Sequence, residues 1–182
     1  MSDAEYITLD RLHERHPGLT PALAQTYFET ACVCLARHHE PPVVFSVNHA
    51  GNKHSRTVNF LIPDVRTKNA HANEIDATEY GAYGLSLATV ESVAGMVAVR
   101  RAEKLTGADW YIAHDGEHIE DFEGCIRLEV SGINAGTSSD VNRRLQEKIT
   151  QAAKGNSNLP AIAAVVGFKV LEVAISPLGV QA

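Results

Sequence analysis

Three acidic residues, Glu79, Asp109 and Glu129, occupy positions from which their side chains could meet. Asp109 and Glu129 lie in two short segments, 108–113 and 125–131, whose apolar and aromatic content predicts β-strands. Because side chains alternate along a strand, each segment has one apolar face and an opposite face with a single carboxylate. If the two strands pair, the carboxylates become neighbours. Such a pair is stable when one acid is protonated or a cation lies between them.

Carboxylate oxygens are preferred ligands of small, hard divalent cations. Asp109 and Glu129 together therefore indicate a site for Mg²⁺ or Mn²⁺. Two alternatives are open for this pair: the acids lie on an ordinary exposed sheet face, or Arg127 neutralises them.

Glu79 belongs to a long predicted helix that runs from about Ala77 to Lys104 and stops at Thr106-Gly107. At about 100° per residue, Glu79 falls on the helix's apolar stripe. That stripe consists of Tyr83, Leu87, Val90, Ala94 and Val97. A buried carboxylate there must be paired, protonated or metal-bound, because burial without a partner costs several kcal/mol. Alternatively, the stripe begins after Glu79, which is then a solvated first-turn glutamate favoured by the helix dipole.

A second predicted helix, from about Asp140 to Lys154 with Ser138 or Ser139 as its cap, follows the acid-bearing strands. Its apolar stripe consists of Val141, Leu145, Ile149 and Ala152. Lys148 lies at the edge of the stripe, with Arg144 and Gln151 beyond it on the same side. From that edge Lys148 could extend towards the carboxylates, or it could simply cover apolar surface.

Taken in order, these stretches resemble the PD-(D/E)XK, or restriction-endonuclease-like, superfamily. The matching stretches are ATEYG (77–81), TGADWYI (106–112), RLEVSG (127–132) and KITQ (148–151), which span less than half of the chain. The resemblance implies that Glu79, Asp109 and Glu129 hold Mg²⁺ or Mn²⁺. It also implies that the ion activates water for attack on a DNA or RNA phosphodiester.

The chain departs from that family at one position. The family's usual lysine, two residues after the second strand acid, is Ser131 here. A serine can hydrogen-bond to phosphate or water but carries no charge. Either a displaced lysine, with Lys148 as the best candidate, supplies the missing charge, or the site is weakened or inactive. By the same resemblance Gln151 takes the place of the family's occasional helix glutamine.

The remaining elements predict a single α/β domain, leaning to α+β, with a central mixed sheet of about five strands flanked by three helices. The other predicted elements are a helix from Pro21 behind a Thr20 cap, a hairpin of strands 43–47 and 55–62, a loop over 63–76, and a long buried strand over 161–175. We expect residues 1–182 to form one restriction-endonuclease-like domain, in which about 1–62 pack on a core of about 74–176.

Composition limits the function classes. The 182 residues are 45% hydrophobic and 21% charged, which is enough apolar content for a real core. No apolar run reaches the roughly 18 residues that a membrane helix needs. Three cysteines are too few for a disulfide scaffold, and the polar N-terminus is unlike a signal peptide, so we expect a cytoplasmic protein with no membrane partner.

A net charge of −6 argues against nucleic-acid binding by the bulk surface but permits a local basic groove. The candidate basic patches are Arg100-Arg101-Lys104, Arg143-Arg144-Lys148 and Lys53-His54-Arg56. The leading hypothesis is a metal-dependent nuclease acting on DNA or RNA. The second is a non-enzymatic assembly or regulatory subunit with a degenerate nuclease fold, working as a homo-oligomer or with a protein partner. A third places a transition metal at His114 and His118, with Asp115 or Glu117.

Overall fold

A computed structural model of the chain describes residues 5–116, 122, 124–154 and 157–177. Its elements follow one another along the chain as four α-helices and seven β-strands, after a 3-10 turn at Leu12–Glu14. They are α1 (Pro21–Ala36), β1 (Val43–His49), β2 (Asn52–Val58), α2 (Val65–Ala70), α3 (Glu74–Ala94), β3 (Met96–Arg101), β4 (Trp110–His114), β5 (Ile126–Ile133), α4 (Ser138–Ala153), β6 (Ala161–Gly167) and β7 (Glu172–Pro177).

The strands form one mixed sheet in the order β2-β1-β7-β6-β5-β4-β3. The pairs β5–β6 and β1–β7 are parallel, and the remaining neighbours are antiparallel. The α/β prediction is thus confirmed at the level of class. Over the described residues, however, the sheet has seven strands instead of about five, and four helices accompany it instead of three.

One extra strand comes from the predicted long helix, which was wrong at both ends. The Asn73 side chain accepts hydrogen bonds from the first backbone amides of α3, so the helix begins at Glu74 rather than Ala77. It ends at Ala94, because Gly95 takes the left-handed conformation (φ 63°) that closes a helix C-terminus. The following Met96–Arg101 then pairs with β4 as an edge strand.

Another strand comes from the predicted long strand over 161–175, which is a hairpin. β6 ends at Gly167, the chain turns, with Leu171 at φ 53°, and β7 returns antiparallel to β6. Buried residues on both sides of the turn make the sequence look continuous. Smaller corrections concern helix α2, which lies in the predicted 63–76 loop, and the cap of α4, which is Thr137 in a capping box rather than a serine.

Helices cover both faces of the sheet. α3 is buried from Gly81 to Val90 and packs between α1 and the sheet. On the opposite face, α4 packs Val141 and Leu145 against β6 and β7. The predicted Thr20 cap and Pro21 start of α1 are confirmed. No helix in the described ranges is long and apolar enough to cross a membrane.

Candidate active site

The candidate site is a cleft where β4 begins. The first residue of β4, Trp110, pairs with Leu128, whereas β5 continues to Ile133 with only β6 beside it. The space beyond the start of β4, between α3 and α4, is a cleft of about 790 Å³. All six residues that the sequence singled out line it: Glu79, Asp109, Glu129, Ser131, Lys148 and Gln151. The fold therefore brings the predicted site residues together.

Gly132 allows α3 to approach this part of β5 closely. A Cβ atom at Gly132 would lie 2.6 Å from the Thr78 carbonyl oxygen, far inside van der Waals contact. Because the helix lies directly on the strand here, Tyr83, one turn further along α3, reaches the acid that precedes β4.

Asp109 is held by contacts on every polar atom. Its backbone amide donates to the Leu128 carbonyl (2.8 Å), and its carbonyl accepts from Arg101 Nη1 (2.9 Å). Its Oδ2 accepts from the Val130 amide (2.8 Å), and its Oδ1 accepts from the Tyr83 hydroxyl (2.9 Å). The orientation of this carboxylate at the edge of the cleft is therefore fixed.

Tyr83 connects Asp109 to Glu79. Its hydroxyl lies 2.8 Å from Glu79 Oε1 and accepts from Arg101 Nη2 at 3.0 Å. The Arg101 Cζ lies 4.5 Å from the centre of the Tyr83 ring and 5.4 Å from that of Trp110, so two aromatic faces support the cation. Burial, reinforced by the charge on Asp109, raises the pKa of the Tyr83 hydroxyl, which therefore stays a neutral donor.

Glu79 agrees with the second of the two expectations from sequence in being exposed, because the buried stripe begins after it. It lies in the second turn of α3 rather than the first, because that helix begins earlier than predicted. Its i, i+4 relation to Tyr83 is what places its carboxylate beside that hydroxyl.

Glu129 is the buried acid of the site, only 4% exposed. Its Oε1 accepts a hydrogen bond from Lys148 Nζ at 2.7 Å, and the same ammonium lies 3.3 Å from Gln151 Oε1. Burial raises the pKa of Glu129, and the charge of Asp109 raises it further, although Lys148 opposes both. The two acids thus interact electrostatically, although Asp109 precedes β4 instead of lying within it as predicted.

Arg127 does not neutralise this pair. Its guanidinium is buried and donates to backbone carbonyls, at 2.6 Å to Thr106, 3.1 Å to Leu159 and 3.4 Å to Ala152. The alternative in which Arg127 neutralises the strand acids is therefore wrong. Arg127 instead ties the segment before β4 to the end of α4.

Ser131 faces the α4 side of the cleft, two residues beyond Glu129. Its hydroxyl lies 3.4 Å from Arg144 Nη1, a weak contact. The charge beside Glu129 comes from Lys148 on α4 instead. The lysine that sequence reasoning placed at the edge of the helix stripe reaches one of the carboxylates, that of Glu129.

The oxygen donors fit a small divalent cation only in part. Within the described residues there is no group of three or more His, Cys, Asp or Glu side chains arranged to hold a metal ion. Asp109 and Glu129 nevertheless offer the one or two carboxylates that Mg²⁺ commonly uses together with water and substrate phosphate. Glu79 is tied to Tyr83 instead.

One arginine in each predicted basic patch is engaged by another side chain of the protein. Arg100 forms a salt bridge with Glu103, and Arg143 forms one with Asp140. Arg56 donates to Ser92 Oγ. Of the proposed histidine site, His114 ends β4, whereas Glu117 and His118 lie outside the described residues.

Sequence reasoning missed Tyr83 and Arg101 as members of the site. The i, i+4 spacing of Glu79 and Tyr83 was the available signal for the tyrosine. Arg101 was named only as part of a basic patch, and its place over Tyr83 was missed because it was assigned to a helix that does not extend so far.

Comparison with protein-family models, with curated proteins and with solved structures gave no match to this chain.

Proposed function

We propose that this protein is a divalent-metal-dependent phosphodiesterase that cleaves nucleic acid, as the resemblance to PD-(D/E)XK nucleases implies. The observation that carries the proposal is the contact of Lys148 Nζ with Glu129 Oε1, at 2.7 Å. A lysine from the helix after β5 supplies charge beside the carboxylate that the family's motif lysine would serve. Ser131, at the motif position, therefore does not leave the site without a cation.

The two strand acids have separate roles in this proposal. An ion bound between them would polarise the phosphodiester and lower the pKa of a water molecule. Asp109 is oriented for binding because the Val130 amide and Tyr83 hydroxyl fix both of its oxygens. Glu129 gains electrostatically from a second cation, since burial and the charge of Asp109 raise its pKa.

The groups on α4 act on the phosphate. Lys148 donates to a phosphate oxygen and offsets the charge that develops on it, while Gln151 and Ser131 provide neutral hydrogen bonds. Glu79 is exposed and shares the single Tyr83 hydroxyl proton with Asp109, so its side chain can turn towards an ion held by the strand acids.

The test is cleavage of labelled single- and double-stranded DNA and RNA in Mg²⁺ or Mn²⁺. Asp109→Asn keeps the shape of the side chain and removes its charge. We expect it to lower the cleavage rate about a hundredfold or more, the effect of losing one charge-stabilising group. Asp76→Asn is the matched control, because Asp76 is exposed and lies outside the cleft lining, so its rate should equal that of the wild type. Equal rates for wild type and Asp109→Asn contradict the enzymatic proposal.

A non-enzymatic assembly or regulatory role on the same fold is the second candidate. Two observations favour it: Ser131 in place of the motif lysine, and the Tyr83 hydroxyl in contact with both Glu79 and Asp109. Titration calorimetry with Mg²⁺ and Mn²⁺ separates the two roles. Binding heat in the wild type that Asp109→Asn abolishes supports the enzyme. No heat, together with a stable oligomer in light scattering, supports the assembly role.

A further inference from the structure

One wall of the cleft is a cationic stripe on α4. Arg144, Lys148, Gln151 and Lys154 line the cleft and lie three or four residues apart, on one face of the helix. Three of the four are basic and none is acidic. Glu147 lies outside the cleft lining, where it pairs with Arg144 Nε at 3.1 Å. At 1.5 Å per residue the stripe is about 15 Å long, enough to follow several consecutive phosphates.

The α3 side of the cleft and the segment before β4 have a different character. They present Ile75, which is 77% exposed, and Leu105, which is 86% exposed. Leu105 is held outward with φ at 71°, in the left-handed region that branched side chains rarely adopt. The neighbouring Thr106 fixes this segment, because its carbonyl accepts from Arg127 and its hydroxyl donates to the Glu103 carbonyl.

Acidic residues accompany the apolar pair. Glu74, Glu79 and Glu103 line the cleft on the side of Ile75 and Leu105 and outnumber Lys104, so this side combines apolar contact area with net negative charge even though Arg100 pairs with Glu103. A phosphate backbone is attracted to α4 and repelled by Glu74 and Glu79. A duplex has a phosphate backbone on each side, so one of its two backbones would face the acidic side of the cleft. A single strand presents phosphates on one side and unpaired bases on the other.

We infer that the cleft binds a single strand of nucleic acid, with its phosphates along α4 and an unpaired base against Leu105 and Ile75. This inference rests on the proposed phosphodiesterase function and names the substrate form of the same site. The flat face of any base can lie on apolar side chains, so the cleft selects unpaired nucleotides over paired ones without reading sequence.

Binding is measured on the full chain by fluorescence anisotropy in EDTA, which prevents metal-dependent cleavage. The three probes are a labelled 20-nucleotide strand, its duplex, and a strand of equal length that lacks bases. We expect the strand to bind at least tenfold more tightly than the duplex or the abasic strand. The double variant Ile75→Ser, Leu105→Ser loses about tenfold for the normal strand and nothing for the abasic one.

The control variant is Leu61→Ser, because Leu61 is 67% exposed and lies outside the cleft lining. It should bind all three probes as the wild type does. The double variant Arg144→Gln, Lys154→Gln should weaken both strands alike. It should also make the slope of log binding constant against log salt concentration less steep by about 1.4 for the single strand. Each phosphate that a side chain no longer neutralises accounts for about 0.7 of that change.

Equal affinity for strand and duplex, equal affinity for normal and abasic strands, or no binding of any probe overturns the inference. Hydrolysis of bis(p-nitrophenyl) phosphate in Mn²⁺ tests the chemistry separately, because this substrate is no polynucleotide. Hydrolysis without strand preference overturns the inference alone. Strand preference without any hydrolysis overturns the proposed function and leaves the strand-binding cleft.

Discussion

Glu91 and Glu129 both belong to ion pairs, but the fold shifts their pKa values in opposite directions. Glu91, near the end of α3, has both oxygens matched: Oε1 accepts from Arg15 Nε at 2.7 Å, and Oε2 lies 3.1 Å from His16 Nε2. His16 is fully buried, and its Nδ1 accepts from the Ala98 amide, so the ring proton is on Nε2 and points at Glu91. Although burial raises the pKa of Glu91, these hydrogen bonds bring it below its ordinary value.

Glu129 is hydrogen-bonded to the cation Lys148, and Arg101 also lowers its pKa, whereas the anion Asp109 raises it. Burial and that anion together raise its pKa above the ordinary value. The comparison separates two uses of a carboxylate. The charge of Glu91 stabilises the fold by fastening residues 15–16 to α3, whereas the charge of Glu129 is disfavoured in the fold and is neutralised only in part. A perturbed acid of that kind in a cleft is typical of a functional site.

The largest expected effect comes from neutralising each acid in turn. Glu129→Gln should lower the cleavage rate about a thousandfold, within the range for removing a catalytic charge. Its free energy of unfolding should stay unchanged or rise, because repulsion from Asp109 disappears. Glu91→Gln should leave the rate per folded molecule unchanged and lower the free energy of unfolding by about 1–3 kcal/mol, since the bonds to Arg15 and His16 weaken.

Initial-rate measurements check the predicted cleavage rates, and urea unfolding of the same preparations checks the predicted free energies of unfolding. If Glu129→Gln destabilises the protein as much as Glu91→Gln does, Glu129 is a structural acid and the comparison fails.

The next effect concerns the cation beside Glu129. Lys148→Met removes the ammonium and keeps the length of the side chain, and it should lower the cleavage rate about a hundredfold. Lys148→Arg keeps the charge and should recover part of the rate. Because Lys148 lowers the pKa of Glu129, its loss should also move the acid limb of the pH–rate profile to higher pH. An unchanged rate in Lys148→Met, with the fold intact by circular dichroism, contradicts the role given to this lysine.

The strand part of the site was predictable because strand periodicity is local. Trp110 and Leu128 face the main core as expected, and Glu129 lies on the opposite face with Lys148. Pairing of the two strands then followed from their adjacency in sequence.

The helix part was not predictable, because its boundaries depend on single residues. Gly95 ends α3 although Met96–Arg101 continues an apolar pattern, and Asn73 begins it one turn earlier than Ala77. The earlier start puts Glu79 in the second turn instead of the first, and the earlier end makes Arg101 a strand residue over Tyr83. The local pattern of apolar residues does not show that 96–101 pairs with β4, because that pairing is a tertiary contact.

The smallest effect, and the one most specific to the comparison, is the pH dependence of stability. A group whose pKa is raised by folding binds more protons in the folded state, so its contribution to stability is lost as pH rises through the folded pKa. For Glu129 this window lies above the ordinary value of 4.5. A group whose pKa is lowered contributes stability that is lost as pH falls through the folded pKa. For Glu91 this window lies below 4.5.

Urea unfolding from pH 3 to 8 should therefore give two difference curves of opposite sign. Relative to Glu129→Gln, the wild type should lose stability as pH rises above 4.5. Relative to Glu91→Gln, it should lose stability as pH falls below 4.5. If both curves slope the same way, the two acids do not differ in their electrostatic state. Added Mn²⁺ should flatten the Glu129 difference curve and leave that of Glu91 unchanged. This result would place the ion at Glu129, because a second cation there lowers the free-energy cost of ionising that carboxyl.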